Sequence, residues 1–231
     1  MKTGTHIGAV VVGMLLAGAA AAAPPPGFEP TAETPRFKFF SRGHDSVDAQ
    51  KVEKFLVSLE QTLGQQFSGQ AQYYRYERPE DIAATTGSYV SGLTYAGTRE
   101  IHTTQPFHAH EVVHLLASQI GDPGPFFREG LAVALGDEGK WQGKSVDRLA
   151  KDYARGLTLR ALILGFAAMD AQRAYPMAGS FVAHLIKRHG VQKVKELFAS
   201  APRLGGDEAT KFASVFGQSL EEADADWRRS L

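Results

Sequence analysis

The sequence predicts an α+β fold, and three observations carry that prediction. Short segments with strand-like alternation crowd the N-terminal half. Longer segments with helical periodicity fill the C-terminal half. At the junction stands His110-Glu111-Val112-Val113-His114, followed after a short turn by a second apolar helical stretch. The expected architecture is a small, mostly antiparallel sheet with a helix, then a mostly helical half that carries the histidine pair.

At 231 residues and 43% hydrophobic composition, the chain can bury an ordinary core as one domain or two small ones. Its formal charge is zero, which gives no basis for nucleic acid or an anionic membrane as partner. There is no cysteine, so disulfides, a thiol nucleophile and a lipid-modified cysteine are excluded. No internal repeat is visible, and nothing in the sequence speaks to oligomeric state.

Residues 1–22 read as a secretory signal peptide. Lys2 and His6 precede an apolar run from Ile7 to Leu16, and the small residues from Ala17 to Ala23 offer a cut after Ala21 or Ala22. The apolar run is too short for a membrane span. The mature chain is therefore expected in the bacterial periplasm or the medium, with no stable membrane anchor. Residues 23–35 are proline-rich and are expected to form a mobile linker, leaving 36–231 as the folded domain.

Within that domain, Arg36 to Phe40 alternates as a strand. Val52, Phe55, Leu56, Leu59 and Leu63 recur at helical spacing, and Gly64 ends that helix. Gln70 to Tyr76, Tyr89 to Tyr95 and Arg99 to Thr103 read as further strands, with a short helix opened by Pro79. Pro106 suits the first position of a helix through Ala117. Asp122 suits the N-cap of a second helix that ends near Gly136. Glycines and mixed charge from Gly136 to Lys144 indicate a surface loop. Helices follow at Val146 to Ala154, at Leu159 to Ala168, from Pro176 to Gly190 and at Val191 to Ala199. Ser219 and Glu222 form a capping box for the last, which carries Trp227.

The chemistry concentrates in H-E-x-x-H. Positions four apart on a helix share a face, so His110 and His114 can converge on one metal ion. Glu111, about 100° round the helix, can reach a water on that ion. Zinc lowers the pKa of such a water towards about 7, and a neighbouring carboxylate can take its proton. In the second helix Glu129 is a lone acid among apolar residues, and a buried charge needs a partner or a metal. Two helices joined by a short turn lie antiparallel, which brings Glu129 level with His114. One Zn²⁺ per chain, held by His110, His114 and Glu129, is the expected centre.

Together, H-E-V-V-H and Phe126-Phe127-Arg128-Glu129-Gly130-Leu131-Ala132 resemble the glutamate-zincin metallopeptidases, of which thermolysin is a relative. The closer resemblance is to bacterial peptidase MA-like domains, where W-x-x-E-G-x-A follows H-E-x-x-H; Phe126 stands here at the position of that tryptophan. The metzincin extension is missing, since Ala117 and Ile120 occupy its Gly and His positions. The aspartate-zincin G-T-x-x-D segment is missing too. The resemblance spans about 36–231, strongly at the two helices and loosely elsewhere. It implies an exported zinc metallopeptidase acting on a peptide or protein substrate, with Glu111 as general base. It implies also that Arg99 to Thr103 is the edge strand beside the metal, able to pair with an extended peptide.

Relatives use a tyrosine or histidine downstream of the third ligand to stabilise an oxyanion. Tyr175 is the candidate here and His184 the alternative. His108 is expected to point away from the metal, and His44 and His189 to lie on the surface. A catalytically inactive, zinc-stabilised peptide-binding module is the rival function. The presence of Glu111 weighs against it, because a purely structural zinc site has no use for that residue.

Overall fold

The computed structural model describes residues 24–42, 46–200 and 208–231. The expected signal peptide and His44 lie outside the described residues. The class is α+β as the sequence predicts: an N-terminal sheet with a helix, then a mostly helical half.

Five strands form the main sheet. They are β1 (Glu29–Glu33), β2 (Phe37–Ser41), β3 (Ala71–Arg75), β4 (Gly92–Tyr95) and β5 (Glu100–Thr103), in the order β1-β2-β3-β5-β4. The outer pairs β1–β2 and β4–β5 are antiparallel, while β2–β3 and β3–β5 are parallel. The sheet is thus mixed rather than mostly antiparallel. The cause is connectivity: α1 (Ala49–Leu63) links β2 to β3, and such a helical crossover returns the chain in the same direction.

Segment 29–33, expected as linker, is instead an edge strand. Pro30 is tolerated there because an edge position needs fewer ladder donors, and the register slips between Pro30 and Ala32. At the opposite edge the expectation is also corrected. Segment 100–103 lies inside the sheet, and β4 is the free edge on the side of the histidine helix.

Strand alternation sorts the side chains between two cores. Phe37, Phe39, Tyr73 and Ile101 face α1 and the main core, whereas Phe40, Tyr74 and Leu93 face the smaller cluster closed by Phe28 and by Ile82 of α2 (Pro79–Thr86). Gly64 ends α1 in the left-handed conformation at φ 56°.

The histidine helix α3 runs Ala109–Ala117, starting after Pro106 rather than at it. Thr103 Oγ1 accepts the Gln105 N–H and pairs with His108, which holds residues 104–108 in a turn instead. Helix α4 (Pro125–Leu135) is entered through Gly124 at φ 96°. Asp122 is not its N-cap; its carboxylate accepts from the Gly124 N–H and from Arg128. The expected loop after α4 contains a small hairpin, β6 (Lys140–Trp141) with β7 (Lys144–Ser145).

The helical half is built on α7 (Ala171–His189), which packs against α4, α5 (Val146–Tyr153), α8 (Val191–Ser200) and α10 (Leu220–Ser230). Pro176 lies inside α7 and does not open it; Asp170 is the N-cap. Helix α6 (Leu159–Gly165) runs into a 3₁₀ turn at Phe166–Ala168, and α9 (Glu208–Phe216) is an addition to the expected elements. Ser219 and Glu222 make the expected capping box, and Trp227 is fully buried with its Nε1–H on Ser180. Among the described residues, no helix is long and apolar enough to cross a membrane.

Candidate metal centre

Helices α3 and α4 bring His110, His114 and Glu129 together, with one donor atom from each within 4.8 Å of the others. Glu129 Oε2 stands 3.2 Å from His110 Nε2 and 3.1 Å from His114 Nε2. Two donors on a single tetrahedral ion with bonds of about 2.0–2.2 Å lie about 3.3–3.6 Å apart, a few tenths of an ångström beyond the separations here. The spacing therefore fits one ion to within that margin, and this group can hold a metal. Glu129 is 4% exposed and His110 8%, so the carboxylate has no bulk water to compensate its charge.

The electrostatics agree with the geometry. Burial opposes charge on His110, but the carboxylates of Asp137 and Glu129 outweigh it and push its pKa up to about 10. Burial likewise favours the neutral form of Glu129, yet the two imidazoles hold its carboxyl well below the usual range.

Four neighbours that carry no recognised motif complete the centre. Asp137 Oδ2 lies 2.8 Å from His110 Nδ1, which fixes Nδ1 as the protonated nitrogen and leaves the Nε2 lone pair for a metal. Gly136 makes this approach possible, because a Cβ there would stand 2.8 Å from His110 N. Thr94 of β4 donates to the Glu111 carboxylate at 2.7 Å. Gly92 of the same strand is required for space: a Cβ would come within 2.6 Å of Glu111 Oε1 and 2.2 Å of the His108 ring. One sequence signal does point to Asp137. An acid just past the C-terminus of a helix opposes the helix dipole, so it needs a partner elsewhere.

Glu111 is buried beside the three donors and faces a cavity of about 850 Å³. The β4 edge lines one side of this cavity. Tyr175 of α7, in the second turn of its helix and not at a helix start, lines another. Its ring stacks on His110 at 6.2 Å and 21°, and burial followed by the Glu129 and Glu111 charges raises its pKa. His184 lies farther along α7 and pairs with Ser230 of α10, away from the cavity lining. His108 bonds to Thr103 and its pKa is pushed down to about 4, chiefly by burial. His189 pairs with Gln218.

No protein-family model matches the chain, and no curated protein matches it in sequence.

Proposed function

We propose that the chain is a zinc-dependent peptidase that hydrolyses peptide bonds in its cleft, with Glu111 as general base. The observation that carries this reading is a buried three-donor site with a carboxylate beside it that ligates nothing, opening onto a cavity large enough for a peptide segment. Bound zinc supplies a Lewis acid for a carbonyl and an activated water. The protein's own residues do the rest. Glu111 takes the water's proton and returns it to the leaving amine. Thr94 holds that carboxylate in place. Asp137 keeps His110 in the ligating tautomer, and Tyr175, whose ring stacks on His110, is the candidate donor to a developing oxyanion. The unpaired edge of β4 offers main-chain groups to an extended peptide.

The test is direct. Purified protein is analysed for metal and then incubated with a denatured-protein peptide library, with and without a chelator. The expected outcome is close to one zinc per chain and chelator-sensitive cleavage. Zinc-loaded protein that binds peptides without cutting any would establish the inactive binding module instead.

A further inference from the structure

We propose that the cleft selects a bulky apolar or aromatic side chain next to the scissile bond, and that Trp141 of the β6–β7 hairpin is a specificity-determining residue. This rests on the peptidase reading and adds the substrate class to it.

Besides the β4 edge, the cavity is lined by a wall of Trp141 from β6, Phe166 from the 3₁₀ turn, Met169 just after it and Tyr175 from α7. Trp141 lies on Tyr175 with ring centroids 4.8 Å apart, and Phe166 flanks Tyr175 at 5.7 Å. Tyr175 in turn stacks on His110. This run of rings begins at His110, one of the three candidate donors, so the side chain beside the scissile bond meets it first. Its orientation is fixed. The Trp141 Nε1–H donates to Gln172 Oε1 at 3.1 Å, which satisfies the indole's one polar atom and leaves the rest of the ring, which lines the cavity, apolar.

Charge argues in the same direction. Arg128 is paired with Asp122 at 2.8 Å, Asp137 with His110, and Glu100 stands 3.7 Å from His102. Lys140 points to Glu138 at the exposed rim. The aromatic wall thus presents no unpaired charge to a charged substrate residue. A Lys or Asp side chain entering there would lose its hydration without a partner, whereas Phe or Leu would exchange water for ring contacts.

The test uses two short peptide hydroxamates that differ only in having Phe or Asp beside the metal-binding group. Their binding to the zinc-loaded protein is measured by calorimetry, so no turnover is needed. The wild type is expected to prefer the Phe compound by at least about tenfold, the scale of burying one large apolar side chain. Trp141→Ala should cut that preference to within about threefold, with zinc content as the check on folding. Met169→Lys keeps Trp141 but places a cation in the wall, and should move the preference towards Asp. Trp141→Phe should retain most of the wild-type ratio. No Phe preference in the wild type, or a ratio unchanged in both Trp141→Ala and Met169→Lys, would overturn the inference. Failure of the peptidase reading looks different: discrimination between the two compounds would persist with no peptide cleaved.

Discussion

Single residues decide whether this site can work, and the least conspicuous are as demanding as the ligands. Asp137 ties His110 to one tautomer at 2.8 Å. Asp137→Ala should weaken zinc affinity by about 10- to 100-fold, the usual cost of losing an outer hydrogen-bond partner, and competition with a chromophoric chelator would measure it. An unchanged affinity would remove Asp137 from the centre. His108 gives a separate signature in metal-free protein. Burial lowers its folded-state pKa from 6.5 to about 4, so the unfolded chain binds the extra proton first. Stability contributed by the neutral ring is present above about pH 6.5 and is lost as pH falls towards 4. Denaturant titrations should show that loss, and His108→Asn should flatten it.

The two histidines were legible in the sequence because their spacing is a helical property, and Glu129 because it is a lone acid in an apolar helix. Asp137, Thr94 and Gly92 reach the site through the fold, and no local periodicity announces such contacts. Tyr175 was located by resemblance and placed at a helix start because Pro176 looked like an opening residue. Six positions into α7, the proline costs one main-chain hydrogen bond, and tertiary packing of the helix overrides that loss.

At the scale of elements, two devices hold the ligand helices where they must be. Helices α4 and α7 cross closely because Gly130 and Gly179 lack side chains: a Cβ on Gly130 would meet Val182 Cγ2 at 2.5 Å and the Ala178 carbonyl at 2.6 Å. Gly130 follows Glu129 directly. Gly130→Ala should therefore lower both thermal stability and zinc affinity, whereas a variant affecting only the core would lower the first alone. Measuring the two on one preparation separates the cases.

The second device is Arg36, which joins the β1–β2 turn to α1. Its guanidinium meets Glu53 at 2.9 Å and Glu60 at 2.6 Å, and Glu60 also accepts the Phe67 N–H. Glu60→Ala would take one of its two carboxylate partners from Arg36 and leave the buried Phe67 main-chain N–H without its acceptor, and should cost about 1–3 kcal/mol in denaturant unfolding. The sequence showed α1 clearly but hid this clamp, since neither acid belongs to the helix's apolar repeat and Arg36 reaches them only through the fold. The edge-strand assignment came from the resemblance, and the residues themselves could not correct it. Alternation identifies strands, but it does not say which neighbour each one pairs with.

Across the whole molecule, the sheet and the helical half both line the cleft, and the three candidate metal donors lie on α3 and α4. The α+β class and the order of elements were readable from periodicity. The mixed sheet was not, because strand direction follows from how crossovers pack and not from the strands' own residues. Removing the metal should loosen the structure measurably. A ligand present at about 100 times its dissociation constant stabilises by about 2.7 kcal/mol. For a chain of this size that corresponds to a drop of about 5–10 °C in Tm when a chelator is added.

The central claim is that Glu111 works as a base beside a metal that it does not ligate. The most direct measurement compares wild type and Glu111→Gln for zinc content and for turnover of one peptide found by library screening. Glutamine keeps the size of the side chain and can still bond to Thr94, but it cannot take a proton. The account predicts close to one zinc in both proteins and a fall in kcat of about 10²- to 10⁴-fold in the variant. Equal zinc with equal turnover would contradict it.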